Sequence, residues 1–148
     1  QRTTMRALLL LLLLLGGALG TRVNFDNRCT RLVQVIATES GEDSRQMALL
    51  NSGQRFSAEY WEGGMSFKDG WTGRTTAHFA FASWNGMDDY DLSVINGFDT
   101  GMAIATDRDG PTITCREPNC PDAFVHNHDE DKDHFVPTGG IFTLTFCP

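Results

Sequence analysis

The chain has little cysteine, little proline and little positive charge, and each shortage excludes something. Only 4 cysteines occur among 148 residues. None stand as C-x-x-C or at the Cys/His spacing of a zinc ligand set, so thiolate metal binding is the weaker reading of them. Lys and Arg total 12 against 19 Asp and Glu, a formal net charge of -7. No basic stripe is available to release counterions from phosphate, which argues against nucleic acid as a partner. An acidic surface is equally unsuited to an anionic membrane. Partners should be neutral or cationic. No Asn-x-Ser/Thr sequon occurs, so N-glycosylation is not expected. Beyond residue 20 no apolar run approaches the roughly 20 residues needed to span a bilayer. No internal repeat or linker divides the chain. With 41% apolar and 10% aromatic residues, 15 Gly and 5 Pro, it suits one globular domain and not disorder.

The start of the chain reads as an export signal. Met5-Arg6 is followed by Ala7, the run Leu8 to Leu15, and the small-residue end Gly16-Gly17-Ala18-Leu19-Gly20. A basic start, a short apolar run and a small-residue end predict a secretory signal peptide cleaved near Gly20. Gln1 to Thr4 read as translated upstream sequence without a function. The expected organisation is a leader over 1–20 and one extracellular domain over 21–148, long enough for a single core. Export places Cys29, Cys115, Cys120 and Cys147 in an oxidising compartment. Two disulfides are then expected, with three pairings open.

The apolar residues beyond Gly20 recur with period two, which predicts an all-β chain. Arg31 to Ile36 is β-branched and strand-like. Phe56, Ala58 and Tyr60 alternate with polar residues, as do Tyr90, Leu92 and Val94; Phe79 and Phe81 alternate with small residues. Over Ile141 to Cys147, Phe142, Leu144 and Phe146 share a face. Such alternation means one face in and one face out. Turn signals fall at Asn51-Ser52-Gly53, Gly63-Gly64, Asp69-Gly70, Asn85-Gly86, Asn96-Gly97, Asp109-Gly110-Pro111 and Gly139-Gly140. Only Glu42 to Leu50 has room for one or two helical turns. Short strands at this spacing predict an antiparallel β-sandwich or barrel.

Six segments carry a family resemblance: Val23-Asn24-Phe25-Asp26-Asn27-Arg28-Cys29, Leu50-Asn51-Ser52-Gly53-Gln54, Trp71-Thr72-Gly73-Arg74-Thr75, Asp88 to Phe98, Cys120-Pro121-Asp122-Ala123-Phe124, and Phe146-Cys147-Pro148. In this order they resemble the motifs of thaumatin-like proteins (pathogenesis-related family 5), over nearly all of residues 21–148. The resemblance implies a thaumatin-like β-sandwich. It also implies a bond between the first and last cysteines, Cys29 and Cys147, leaving Cys115 and Cys120 to each other. Larger members have a disulfide-rich second lobe where this chain has only Phe98 to Asn119, so a short, one-lobed form is expected.

The family's cleft, lined by carboxylates and aromatics, is linked to β-1,3-glucan. Carried over by motif, its acidic positions fall on His78, Asp91, Asn96 and Asp129, with Arg74 as the candidate cleft arginine. Only Asp91 and Asp129 remain carboxylates. Such groups hydrogen-bond sugar hydroxyls, and aromatic faces cover sugar C–H surface. Trp61, Trp71, Trp84 and Tyr60 are available for that, although Trp71 and Trp84 read equally well as core. The resemblance implies a secreted, non-enzymatic, defence-type glucan binder with no cofactor. The alternatives are a small secreted protein-interaction module or microbial effector, and a weak β-1,3-glucanase. The last would need Asp91 and Asp129 at glycosidase spacing, and the position of a proton donor is taken by His78.

His126 to His134 packs three His and four acids into nine residues. Asp129, Asp131 and Asp133 begin a calcium-loop pattern, but the following Gly and the distal Glu are missing. A solvated acidic loop is the expectation, with no metal site. Its histidines, beside carboxylates, predict sugar binding that changes between neutral and mildly acid pH; a flat response would remove the idea.

Overall fold

A computed structural model describes residues 20–148 of the chain; the expected leader lies outside the described residues except for Gly20. Twelve strands follow one another. They are β1 (Thr21–Asn27), β2 (Val33–Glu39), β3 (Arg45–Leu50), β4 (Arg55–Tyr60), β5 (Gly63–Asp69), β6 (Thr76–Trp84), β7 (Met87–Ser93), β8 (Met102–Thr106), β9 (Ile113–Cys115), β10 (Ala123–Phe124), β11 (His134–Pro137) and β12 (Ile141–Phe146). A single 3-10 turn, Glu130–Lys132, precedes β11. The strands form two sheets. Sheet A runs β4-β1-β12-β8-β9, and sheet B runs β10-β7-β6-β5-β2-β3. β10 and β11 share the free edge of β7, β10 beside Leu92 and Ser93 and β11 beside Met87 to Tyr90. Most neighbours are antiparallel; β1/β12 and β10/β7 are parallel.

Period-two alternation fixes which side chains meet between the sheets. Val23, Phe25, Phe142, Leu144 and Phe146 from sheet A face Val33, Val35, Phe67, Phe79, Phe81, Tyr90 and Leu92 from sheet B, all 3% exposed or less. A row of rings crosses the interface: Phe25 to Phe67 at 4.9 Å, Phe67 to Phe79 at 5.8 Å, Phe79 to Phe142 at 5.1 Å and Phe142 to Tyr90 at 5.1 Å. Each of these buried rings contributes about 1.5–3 kcal/mol by leaving water, and the edge-on contacts add to it. Both disulfides are formed. Cys29–Cys147 joins residues 118 apart in sequence and Cys115–Cys120 residues 5 apart.

The structure corrects the pattern reading in two places. Residues 45–50, within the stretch that had room for helical turns, form β3 and pair with β2 through a register shift between Val35 and Ile36. Edge pairing to a sheet offers this segment a full set of backbone partners, which a one-turn helix does not. Gly63-Gly64 opens β5 and is not the turn itself; the reversal falls at residues 61–62. Gly64 lies close to Ser40, whose Oγ would have to swing aside for a Cβ there, since the two would otherwise stand 2.5 Å apart.

Candidate functional site

The outward face of sheet B is where the chemistry collects. On β6 the buried residues are Ala77, Phe79 and Phe81, so Thr76, His78 and Ala80 point away from the core. On β7 the same alternation buries Asp88, Tyr90 and Leu92 and turns Asp89 and Asp91 outward. Register then sets the neighbours. Thr38 of β2 pairs with Ser66 of β5, Ser66 with His78, and His78 with Asp91. A polar row thus crosses four strands, three strand spacings or about 14 Å. Because His134 pairs with Tyr90, Asp133 stands next in register beside Asp91.

His78 is the hinge point of this row. Its Nδ1 lies 3.0 Å from Asp91 Oδ1. Two hollows meet at the imidazole. One, of about 370 Å³, is lined by Thr38 to Glu42, Gly64 to Ser66, His78 and Phe79. The other, of about 250 Å³, is lined by His78, Asp91, Ser93, Ile95, Phe124 and Asn127. Together they make a shallow groove with hydroxyls at one end, a His–Asp pair at its middle and an amide at the other end.

Charge is crowded here. One oxygen from each of Asp89, Asp91 and Asp133 lies within 4.8 Å of the others, and this trio is the set of described residues able to approach a cation. Asp89 Oδ1 is buried and has no hydrogen-bond partner. Burial, then the charges of Asp133 and Asp91, push the Asp89 carboxyl up to about 6, with His78 pulling the other way. Asp133 is raised by burial and by Asp91. For His78, burial disfavours the charged form. The Asp91 hydrogen bond and the charges of Asp91, Asp89 and Asp133 outweigh it, so its pKa stands above the ordinary value. Asp89, Asp133 and His78 therefore hold protons more tightly than free side chains do.

The other residues carried over by motif lie elsewhere. Asp129 Oδ2 accepts hydrogen bonds from the backbone N–H of Val125 (2.8 Å) and His126 (2.7 Å), which hold its carboxyl below the ordinary range. It shapes its own loop. Arg74 and Asn96 occupy a corner beyond the ends of β6 and β7. There Asp99 accepts from the N–H of Arg74 (2.8 Å) and Thr75 (3.1 Å), and Thr75 Oγ1 accepts from the N–H of Asp99 (3.0 Å). The Arg74 side chain covers Gly97, whose φ of +107° favours glycine and whose Cβ would meet Arg74 Cδ at 3.0 Å. Asn96 is exposed on that turn. The structure thus brings His78 and Asp91 into contact, joins Arg74 to the Asn96–Gly97 turn, and ties Asp129 to its own backbone. The three tryptophans are surface groups, Trp61 and Trp71 53% and Trp84 73% exposed. Tyr60 is not free to cover a sugar, because it stacks on Phe81 at 4.8 Å.

Asp89, Ser66 and Thr38 are not singled out by sequence reasoning, and Asp133 enters there only as part of an incomplete calcium-loop pattern, not as a neighbour of Asp91. Asp89 carried a signal, since period two places it on the same face as Asp91. The other three depend on long-range register.

No family model matches the chain. Among curated proteins it is 37% identical to a thaumatin-like protein of Oryza sativa subsp. japonica over 68 residues, 46% of this chain and 38% of that one. It is 33% identical to pathogenesis-related protein 1A/1B of Hordeum vulgare over 75 residues, 50% of this chain and 43% of that one. The matched stretch spans less than half the length of these relatives. Two solved structures share the fold. The thaumatin-like xylanase inhibitor TLXI aligns with TM-score 0.68 and 16% identity, covering 85% of this chain and 99% of that one. The protein elicitor MoHrip2 from Magnaporthe oryzae aligns with TM-score 0.67 and 19% identity, covering 86% and 99%. The chain is therefore similar to thaumatin-like proteins in sequence over about half its length and in fold over most of it, at a size that fits a short form.

Proposed function

We propose that this is a secreted, non-enzymatic protein of the defence type that binds a neutral cell-wall polysaccharide, β-1,3-glucan, along the outer face of sheet B. The observation that carries the reading is the row Thr38–Ser66–His78–Asp91, set by strand register and flanked by two hollows that meet at His78. Hydroxyls, an imidazole and a carboxylate spaced across a shallow groove can each exchange a water for a sugar hydroxyl. A polysaccharide without charge is not repelled by an acidic surface. The similarity to pathogenesis-related proteins supports a defence role, and the predicted leader supports secretion into the extracellular space, with residues 21–148 as the mature domain.

A hydrolytic role is less well served. A glycosidase places its two carboxyls on either side of the scissile bond. Asp89 and Asp91 lie two apart on one strand and project from the same side of it.

The test is co-sedimentation of the oxidised domain with insoluble β-1,3-glucan. Hydrogen bonds to a charged group contribute about 1.5–3 kcal/mol, so Asp91→Asn is expected to weaken pelleting about tenfold or more, and His78→Ala to follow it. Wild-type protein that stays in the supernatant would sink the glucan reading. Released reducing ends would overturn the non-enzymatic part of it.

The solved neighbours favour a second reading. Both are aligned over 99% of their length, and one is a xylanase inhibitor and the other a protein elicitor. In this reading the ligand is a protein, such as a carbohydrate-active enzyme. Capture of a purified xylanase by the immobilised domain tests it.

A further inference from the structure

Strand register arranges the outward side chains of β6, β7 and β11 as three rows. Trp84, Met87 and Pro137 form the first, at the hairpin tip. Ala80, Asp89 and Phe135 form the second. His78, Asp91 and Asp133 form the third. Two rows are mostly apolar and open to solvent: Trp84 is 73% and Phe135 49% exposed. The third row, with Asp89, gathers three carboxylates within 4.8 Å, one of whose oxygens is buried without a donor. An exposed apolar patch bordered by charge marks an interaction surface.

We propose that this face docks a protein segment offering one arginine flanked by apolar residues. The guanidinium meets Asp89, Asp91 and Asp133, and the apolar neighbours lie on Trp84, Met87 and Phe135. The inference goes beyond the glucan reading and gives the protein-partner reading, on which it rests, a contact surface.

Charge decides the occupant. Among the described residues the basic group facing the carboxylates is His78, whose Nδ1 is engaged with Asp91. His134 lies beside the Tyr90 ring, and Lys132 is turned to Asp131 at 3.2 Å. None of these reaches Asp89 Oδ1. A second copy of the chain carries the same charge of -7 and is repelled. A guanidinium presents five N–H donors in a plane, enough to serve several carboxylates at once, where an ammonium is a single point charge. A calcium ion would satisfy the carboxylates but leave the two apolar rows without a role.

The experiment is a ¹⁵N-amide NMR titration of the oxidised domain with the peptide acetyl-Leu-Arg-Leu-amide. The same peptide with citrulline in place of arginine, and calcium chloride alone, serve as parallel arms. The arginine peptide is expected to move amides of residues 78–91 and 133–137 saturably, and the citrulline peptide to bind at least tenfold more weakly. An Asp89→Asn/Asp133→Asn variant should lose the same preference while its β1 and β12 amides report an intact fold. Equal binding of the two peptides, or no localised shifts, overturns the proposal. So does calcium that saturates the same amides and displaces the peptide, which would make the trio a metal site. Xylanase capture by a domain whose face ignores the arginine peptide would leave the protein-partner reading standing and overturn only this placement.

Discussion

Asp88 and Asp89 are neighbours on one strand and opposites in every other respect. Asp88 points into the sandwich and is fully buried. Its Oδ1 accepts from Ala82 N–H and Thr138 Oγ1, both at 2.8 Å, and its Oδ2 accepts from Thr21 Oγ1. Thr21 in turn accepts from Gly139 N–H at 2.9 Å. One carboxylate therefore ties together the first residue of β1, the bulge in β6 and the turn before β12. Asp89 points out, keeps one oxygen without a donor, and has Asp91 and Asp133 for company. Elsewhere the chain does supply cations to a buried outward acid: Asp26, on sheet A, lies 3.1 Å from Arg28 and 3.4 Å from Arg55. The inner carboxylate is built for the fold, whereas Asp89 on the outer face is left with other carboxylates beside it and one oxygen short of a donor.

Asp88→Ala leaves the buried Thr21 hydroxyl and the part-buried Thr138 hydroxyl and Ala82 N–H without their acceptor, and a hydrogen bond to a charged group contributes about 1.5–3 kcal/mol. The expected loss is on the order of 3–5 kcal/mol in a denaturant titration at neutral pH. A loss below about 1 kcal/mol would mean that Asp88 holds nothing together, and the contrast with Asp89 would fail. The next inner residue of the same strand sharpens it. Tyr90 is fully buried and donates from its hydroxyl to the Pro111 carbonyl at 2.7 Å. Tyr90→Phe keeps the ring packing and removes that bond, so about 1–2 kcal/mol should be lost.

Much of this was legible in the chain, for a reason that the β7 pair makes plain. Alternation is local, so Tyr90 and Leu92 inside and Asp91 outside could be read from period two alone. The same rule holds for Phe142, Leu144 and Phe146. The motif resemblance added the two disulfides, which join segments that alternation alone does not relate. Strands without clear alternation were missed: β3 was open to a helical reading, and β5 begins on two glycines. The site was half legible. His78 and Asp91 meet, but which residues stand beside them depends on how β5, β6, β7 and β11 align, and register between distant strands leaves no mark in the local pattern. Asp129 looked like a cleft acid because nothing in its sequence shows that two backbone N–H groups of its own loop already occupy it.

The smallest effect is the most specific to the outer face. Asp89 titrates near 6 in the folded chain and near the ordinary carboxyl value of about 3.9 when unfolded. Between these values the unfolded chain releases a proton that the folded chain keeps, so stability falls as pH rises from about 4 to about 6. His78, raised by Asp91, works in the same direction at higher pH: its stabilising charge is lost as pH rises through its folded pKa. Asp129, held low, acts oppositely and only in acid, its contribution disappearing as pH falls below the ordinary carboxyl range. Asp89→Asn removes the first of these steps. Its melting temperature should match wild type near pH 4, rise above it through pH 6, and keep a constant gap at neutral pH. Because Asp89 is partly exposed, solvent screening keeps that gap below about 1 kcal/mol, a shift of a few degrees. A gap that is the same at pH 4 and pH 7.5 would show that the substitution acts through packing, and that Asp89 carries no excess charge for a partner to neutralise.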